Sequence, residues 1–328
     1  MAHVVAARFG LTPSADAFSD ECSRRMLRPV ASRLRAVVAS YGPAQFEFLR
    51  EMLVNMGHVP IAYLMSRSMR PAAAAESDLL KAATAILEDV PPGMDLLLPG
   101  GPGSVADMLA GYRPDLLLVF GFNWRLPREV LNLPRIGVLN VHPSALPRYR
   151  GPSAVPWAIR NGDPFMGVTV HRMTERIDAG PVLAQVDNIA IPEQVTAPDV
   201  WDLTKAVLPD LLSEALERAI RGDPGTPQDE RKATYAGFPP PEWYEVTWQG
   251  NRRSLHNQIR VLRYLKRGQG PVVTFGGRTV QVQRTNLTAD GGIRIECADG
   301  PLWVTYTPVS LRTDVSGLPP SAAQPDYR

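Results

Sequence analysis

The stretch GVLNVHP, from Gly137 to Pro143, is a short apolar run that carries two polar side chains and stops at a proline. Its length and its aliphatic residues predict a buried β-strand. Because successive side chains of a strand alternate between its faces, Asn140 and His142 point to the same side and Val141 to the other. Ligands of open parallel sheets bind beyond the carboxyl ends of the strands. We therefore expect Asn140 and His142 at a functional site.

Apolar runs and helical patterns alternate on both sides of this strand. The predicted strands are 34–40, 59–65, 96–98, 115–120, 137–142, 167–172 and 182–191, and the predicted helices are 46–56, 72–88, 105–109, 154–161 and 198–221. The run DLLLVF at 115–120 is uniformly apolar, as expected of a strand buried on both faces. Strands that alternate with helices imply a Rossmann-like open parallel sheet covered on both sides.

The pattern changes at GDPGTP, residues 222–227, a cluster of residues that end helices. Short alternating strands follow at 272–275, 279–282, 293–295 and 302–306, the first two joined by Gly276 and Gly277. Closely spaced antiparallel strands predict a small β-barrel of the OB type. We therefore divide the chain into an extension (1–33), an α/β catalytic domain (34–222), a linker (223–241), a β-barrel domain (242–312) and a tail (313–328).

The composition excludes several classes of protein. Hydrophobic residues make up 45% of the chain and charged residues 21%, as in ordinary globular domains. The net charge of +2 is too small to indicate nucleic acid or an acidic membrane surface as a partner. The two cysteines lack metal-type spacing, and no apolar run reaches the roughly 18 residues of a membrane span. We expect a cytoplasmic protein with free thiols.

Three motifs together carry a resemblance to a known family. They are Asn-x-His at 140–142, Leu-Pro-x-x-Arg-Gly at 146–151 and Ile-Asp-x-Gly-Pro-Val at 177–182. The chain resembles the folate-dependent formyltransferases, that is, the methionyl-tRNA formyltransferases and their small-molecule relatives such as the sugar N-formyltransferases. The resemblance is strongest over residues 115–185, and the stretch 228–236 is similar to the C-terminal half of the tRNA enzymes.

The resemblance implies Asn140, His142 and Asp178 as catalytic residues, and the chemistry needs such groups. Attack of an amine on a formyl carbon builds negative charge on the carbonyl oxygen, which the Asn140 amide can stabilise. A histidine with a pKa of about 6.5 is suited to take the proton of the amine. Asp178 can orient His142 and raise its basicity. The reaction requires no metal.

The resemblance also implies binding residues for the formyl donor, 10-formyltetrahydrofolate. The donor would contact Phe120, Gly121, Phe122, Asn123, Trp124, Leu126, Ile177 and Asp178. The pocket for the folate and the acceptor would be shaped by Ser144, Leu146, Pro147, Arg150 and Gly151. Two alternatives stay open, namely that the aromatic residues of the 120–126 loop pack in the core and that Arg150 is solvated.

Three further features of the sequence are not assigned to the catalytic site. His171 points from a predicted strand and is expected to pack or to lie at the surface. His256 lies in a basic helix, residues 252–267, which is typical of a solvated face and could also hold phosphates. The glycine-rich run at 100–103 lacks the spacing and the lysine of a phosphate loop, so it predicts a turn.

The acceptor is the open question. Where the tRNA enzymes carry Arg-Pro and a basic insertion, this chain has Arg70-Pro71 followed by AAAAESD at 72–78. Phosphate contacts dominate affinity for nucleic acid, so an acidic loop is a poor clamp for tRNA. We expect a small-molecule amine or hydroxylamine from a biosynthetic pathway. Methionyl-tRNA, a hydrolase that releases formate with the same trio, and a non-catalytic folate-binding protein remain alternatives.

Overall fold

The computed structural model describes residues 33–66, 68, 81, 83–87, 90–266, 268–275 and 277–309. The chain forms two compact units. The first comprises the described parts of Met1–Ala158 with Pro164–Ile191 and Val200–Phe238, and the second comprises Ile159–Asp163, Pro192–Asp199 and the described parts of Pro239–Arg328. The predicted extension apart from Arg33, the 70–78 loop and the tail lie outside the described residues.

A seven-stranded sheet forms the centre of the first unit, in the order β3-β2-β1-β4-β5-β6-β7. Its strands are β1 (Arg35–Ser40), β2 (Val59–Leu64), β3 (Asp95–Leu97), β4 (Leu116–Phe120), β5 (Gly137–His142), β6 (Phe165–Arg172) and β7 (Val182–Ala190). The predicted Rossmann-like α/β class is confirmed. The first five strands pair in parallel, whereas β6 pairs antiparallel with both β5 and β7. The predicted parallel sheet is confirmed over these five strands and has an antiparallel edge at β6 and β7. The loop from β6 to β7, residues 173–181, is shorter than the dozen or so residues of a parallel crossover, so these two strands pair antiparallel.

The helices are α1 (Pro43–Asn55), α2 (Pro102–Tyr112), α3 (Arg128–Leu131), α4 (Ala154–Asn161), α5 (Ala197–Ile220) and α6 (Arg252–Leu265). Residues 83–87 are also helical, within a segment predicted as helix whose remainder is largely outside the described residues. The glycine-rich run at 100–103 does not form a separate turn. It begins α2, with Pro102 at the first helical position and the Gly101 N–H donating to Ser104 Oγ at 3.4 Å. Over the described residues, no helix is both long and apolar enough to cross a membrane.

Strand β4 lies at the centre of the sheet, and all five of its residues are buried. Leu117 and Val119 belong to an apolar cluster that also contains Val37, Leu64 and Leu109 from neighbouring strands and helix α2. The uniformly apolar sequence of β4 therefore reflects cover on both faces of the sheet.

The second unit contains a four-stranded antiparallel sheet in the order β10-β11-β9-β8. Its strands are β8 (Val272–Phe275), β9 (Arg278–Asn286), β10 (Ile293–Cys297) and β11 (Gly300–Pro308). Leu255 and Ile259 of helix α6 pack with Val282, Leu302 and Val304 of the sheet. This architecture is compatible with the predicted small barrel.

The solvated basic face predicted for helix α6 was wrong for two of its residues. His256 is fully buried, with Nδ1 at 2.9 Å from Thr285 Oγ1 and Nε2 at 2.6 Å from Glu193 Oε1. Arg260 is also buried and donates to the backbone carbonyls of Pro192 and Glu193. Pro192 and Glu193 thus supply hydrogen-bond acceptors for His256 and Arg260. The charges within the helix sequence do not reveal these partners, because they lie more than 60 residues earlier in the chain.

The position of Leu117 in the core leads to a stability prediction. Leu117→Ala should lower the free energy of unfolding by about 2–5 kcal/mol, because it removes a fully buried side chain from a central strand. Leu98→Ala is the matched control, since Leu98 is 38% exposed and should cost no more than about 0.5 kcal/mol. Urea unfolding measures both values, and equal losses would contradict this account of the core.

Candidate active site

Strand β5 presents the two polar side chains predicted from its sequence. Asn140 and His142 lie at its carboxyl end, and both are buried, with 8% and 5% of their surfaces exposed. Because the strand is extended, they share one face of the sheet, and Pro143 ends the strand directly after them. The site is therefore built on a rigid element of the first unit.

Asp178 reaches this face from the loop between β6 and β7. Asn140 Nδ2 donates to Asp178 Oδ1 at 3.3 Å, and His142 Nδ1 lies 3.6 Å from Asp178 Oδ2. The backbone of Asp178 has φ +47°, the left-handed region that non-glycine residues rarely adopt. The structure thus brings together the three side chains that the sequence predicted from two separate segments.

The environment of His142 determines where it can hold a proton. Its Nε2 lies 2.8 Å from the backbone oxygen of Tyr149, which can only accept, so Nε2 carries the hydrogen of the neutral ring. The lone pair is then on Nδ1, beside Asp178. Burial lowers the pKa of His142 from its ordinary value, while the charge of Asp178 and the Tyr149 carbonyl act in the opposite direction. His142 is therefore a neutral base at neutral pH.

The Asp178 carboxyl is kept ionised. Burial alone would raise its pKa, but His142, His171 and the Gly151 N–H together hold the pKa well below its usual range. The Gly151 N–H donates to Asp178 Oδ2 at 2.7 Å. Gly151 has φ +104°, and a β-carbon there would lie 2.9 Å from the backbone oxygen of Ala236. A glycine at this position therefore lets the segment that binds Asp178 pack closely against Tyr235 and Ala236.

His171 is a member of the site that the sequence analysis did not assign. It lies opposite Asn140 in the antiparallel pairing of β5 with β6, and it is 1% exposed. Its Nε2 is 3.2 Å from Asn140 Nδ2 and 3.5 Å from Asp178 Oδ1, and its Nδ1 is 2.9 Å from the Arg172 carbonyl oxygen. The expected packing role was therefore incomplete. The sequence did predict His171 on a strand that follows β5. It did not predict that this strand runs antiparallel to β5, which is what places His171 opposite Asn140.

Gln228 braces the Asp178 loop. Its amide donates to the backbone oxygens of Asp178 and Gly180 at 2.8 and 2.7 Å, and its Oε1 accepts two hydrogen bonds from Arg150. Arg150 is buried and also forms two hydrogen bonds with Glu230. Residues 223–238, which the sequence analysis placed in the linker, pack within the first unit. The alternative of a solvated Arg150 was wrong, because its partners come from this distant segment.

The predicted donor-binding loop after β4 has one close backbone contact. Gly121 has φ +76°, and a β-carbon there would lie 2.2 Å from Cδ1 of Tyr41. Phe120 lies at the end of β4 and is buried, with its ring 6.4 Å from that of Tyr41. The close approach that Gly121 permits is thus to the Tyr41 ring in this structure.

The other residues of that loop are anchored inward. Trp124 is buried and donates from Nε1 to the Ser68 carbonyl, Leu126 belongs to the apolar cluster around β4, and Phe122 packs against that cluster. Asn123 Nδ2 donates to Ser66 Oγ at 2.8 Å. The alternative interpretation, in which the aromatic residues pack in the core, describes these side chains. Ile177, by contrast, is 39% exposed next to Asp178.

The segment between β5 and α4 is shaped by internal hydrogen bonds. Ser144 is buried and donates from Oγ to the Arg148 carbonyl, and the Leu146 carbonyl accepts from Gln185. Leu146 is also buried and precedes a cis peptide bond to Pro147. Ser144 and Leu146, predicted to shape the substrate pocket, thus hold the loop that carries Tyr149 and Gly151.

A cavity of about 450 Å³ lies beside the Asp178 loop. It is lined by Arg125, Arg150, Arg176, Ile177, Ala179, Glu230, Ala233, Thr234 and Tyr235. Ile177 and Ala179 flank Asp178 in the sequence, so the cavity borders the site. Its volume lies within the range of roughly 300–1,000 Å³ that is usual for small-molecule sites. Among the described residues, no group of three or more His, Cys, Asp or Glu side chains is placed to hold a metal ion.

The family of the chain follows from its sequence, mainly over the first unit. Residues 52–216, which make up half of the chain, match the formyl transferase family. The protein belongs to this family, as the motifs predicted.

Sequence relatives include methionyl-tRNA formyltransferases. That of Borrelia duttonii is 36% identical over 155 residues, which cover 47% of this chain and 50% of that protein. That of Moorella thermoacetica is 38% identical over 198 residues, which cover 55% of this chain and 63% of that protein. The chain spans about half the length of the first of these relatives.

Solved structures with a similar fold include two that were crystallised with a folate. The N-formyltransferase from Helicobacter canadensis, in complex with folinic acid and dTDP-3-aminofucose, has a TM-score of 0.59 at 17% identity over 84% of this chain and 100% of its own. HypX from Aquifex aeolicus, in complex with tetrahydrofolic acid, has a TM-score of 0.57 at 20% identity over 84% of this chain and 46% of its own. At these identities the similarity establishes the fold.

The Gln228 brace leads to a second stability prediction. Gln228→Leu should lower the free energy of unfolding by about 1–3 kcal/mol, because two carbonyls and Arg150 lose their partner. Gln283→Leu is the control, since Gln283 makes one exposed hydrogen bond, to Thr307 Oγ1. Scanning calorimetry compares the two variants. If the melting temperature of Gln228→Leu is no lower than that of the control, Gln228 does not stabilise the Asp178 loop.

Proposed function

We propose that the protein transfers the formyl group of 10-formyltetrahydrofolate to an amine or hydroxylamine of a small biosynthetic molecule. The observation that carries this proposal is the convergence of Asn140, His142 and Asp178 at the carboxyl end of β5. Membership of the formyl transferase family supports the type of reaction. Similar folds crystallised with tetrahydrofolic acid or folinic acid support a folate as the formyl donor.

In this proposal, Asn140 stabilises the charge that develops during attack. The acceptor nitrogen adds to the formyl carbon, and the carbonyl electrons move onto the oxygen. The two N–H groups of Asn140 are engaged with Asp178 and His171, so one of them turns to the oxyanion as it forms. A donor that strengthens its bond only in the transition state lowers the barrier to the reaction.

His142 receives the proton of the attacking nitrogen at Nδ1. The resulting imidazolium donates from Nε2 to the Tyr149 carbonyl and faces the Asp178 carboxylate with Nδ1. The C–N bond to the folate then breaks, and the proton moves to the departing nitrogen. The products are the N-formyl compound and tetrahydrofolate, so atoms and charges balance without a metal.

The residues around Asp178 fit a folate as the donor. Ile177 offers an exposed apolar side chain, and the adjoining cavity is large enough for a substituted ring. The loop from Phe120 to Leu126 is anchored, because Trp124 and Leu126 are buried. We infer that the backbone of this loop, together with Ile177, contacts the pterin.

The proposal also specifies the formyl acceptor as a small molecule and not tRNA. The acidic segment at 72–78, which replaces a basic insertion of the tRNA enzymes, favours a small molecule over tRNA. The sugar enzyme of Helicobacter canadensis supports the same choice, since its fold matches along its whole length. Methionyl-tRNA is the second candidate, and the identity to the methionyl-tRNA formyltransferases favours it.

The test is a formyl-transfer assay read by mass spectrometry. Purified protein is given 10-formyltetrahydrofolate with amino sugars, hydroxylamines or charged methionyl-tRNA, and formate release is measured without an acceptor. We expect a product 28 mass units heavier from a small amine, as replacement of H by CHO requires. Transfer to tRNA alone would establish the second candidate, and formate release alone would establish a hydrolase. No turnover with any acceptor would overturn the proposal.

The charges around His142 predict the pH dependence. The rate should be constant near neutral pH and should fall as His142 takes up a proton, below its ordinary pKa of about 6.5. In Asp178→Asn, the carboxylate that raises the pKa of His142 is gone, so the acid limb moves to lower pH. The plateau should also drop by about 10²-fold or more.

Asp187→Asn is the control for this experiment, because Asp187 lies at an exposed position of β7. Its pH–rate profile should match that of the unchanged protein. An Asp178→Asn profile with a normal plateau and an unmoved acid limb would remove Asp178 from the mechanism.

A further inference from the structure

The cavity beside the Asp178 loop carries an excess of positive charge. Three of its lining residues are arginines, and one is a glutamate. Hydrogen bonds from Arg150 and Arg176 lower the pKa of Glu230 to about 2, so this carboxylate is ionised and neutralises one guanidinium. Among the described lining residues, two positive charges therefore remain at the cavity.

Arg125 contributes one of these charges. Its Nη2 donates to the backbone oxygen of Glu175 at 2.7 Å, and within the described part of the chain it forms no ion pair. The Glu175 carboxylate is paired instead with Arg128, at 3.1 Å. A guanidinium has five N–H donors, so Arg125 is held in place by one bond and has further donors for an anion.

Arg176 contributes the second charge. It shares Glu230 with Arg150, which is buried and makes two hydrogen bonds to the same carboxylate. The Arg176 side chain is 70% exposed. An exposed ion pair of this kind is weak, so an arriving anion can compete for Arg176 at little cost.

Tyr235 forms an aromatic wall of the cavity. It is 61% exposed, yet its backbone is fixed by a bridge to Arg150. A β-carbon on Gly151 would lie 2.7 Å from Cε2 of Tyr235, so the ring rests against the residue whose N–H binds Asp178. An aromatic ring with one side supported and most of its surface exposed is suited to stack on a ligand ring.

We propose that Arg125, Arg176 and Tyr235 form a subsite for an anionic group attached to a ring, such as a carboxylate or a phosphate. The inference rests on the proposed function for the identity of the two substrates, because either one can supply this chemistry. The formyl donor carries an aromatic ring and glutamate carboxylates. A phosphorylated amino sugar, as acceptor, would carry a sugar ring and a phosphate.

Direct binding tests the subsite without any turnover. Calorimetry compares folinic acid with 5-formyltetrahydropteroate, which lacks the glutamate, and glucosamine 6-phosphate with glucosamine. At least one anionic probe should bind more tightly than its matched partner, by about tenfold or more, and added salt should reduce the difference. A preference in the folate pair assigns the subsite to the donor, and a preference in the amine pair assigns it to the acceptor.

Substitutions test which residues cause the preference for the anionic probe. Arg125→Gln should abolish the preference for the anionic probe, Arg125→Lys should keep part of it, and Tyr235→Ala should weaken binding of both members of the pair. Arg128→Gln is the matched control, because Arg128 is exposed, lies near Arg125 in the sequence and does not line the cavity. Thermal melting confirms that each variant is folded.

Two results would overturn the subsite. One is equal affinity within both probe pairs, and the other is an Arg125→Gln variant that binds like Arg128→Gln. Failure of the proposed function is distinguishable, because the formyl-transfer assay would then show no product while the binding preference persisted.

Discussion

The buried carboxylate of Asp178 is the constraint on which the site depends. A buried charge is costly unless its oxygens have partners, and here the partners come from three directions. Asn140 and Gly151 donate to the two oxygens, and the imidazoles of His142 and His171 lie within 3.6 Å and 3.5 Å of them. The carboxylate therefore requires β5, β6 and the 144–151 loop to be in place together.

The backbone of Asp178 is also held in an unusual state. A left-handed conformation costs a non-glycine residue of the order of 1 kcal/mol or more. Gln228 offsets this cost by binding the carbonyls of Asp178 and Gly180, and Arg150 fixes Gln228 in turn. A segment far along the chain thus supports the geometry of the loop.

The two kinds of arginine near the loop have different physical roles. Arg150 is removed from water and makes four hydrogen bonds to Gln228 and Glu230, so it acts as a structural link. Arg125 and Arg176 remain exposed and border the cavity. Composition alone does not separate these roles, because the separation depends on how deeply the fold buries each guanidinium.

Local sequence determined the strand β5 and the shared face of Asn140 and His142, because alternation of side chains is a property of any extended chain. The motif around Asp178 placed a third residue with them through its resemblance to a family. Only the tertiary structure decided that β6 runs antiparallel to β5, which brings His171 opposite Asn140. It also decided that Gln228 braces the loop and that His256 is buried. These contacts join residues dozens of positions apart, and local periodicity carries no record of which distant segments will meet.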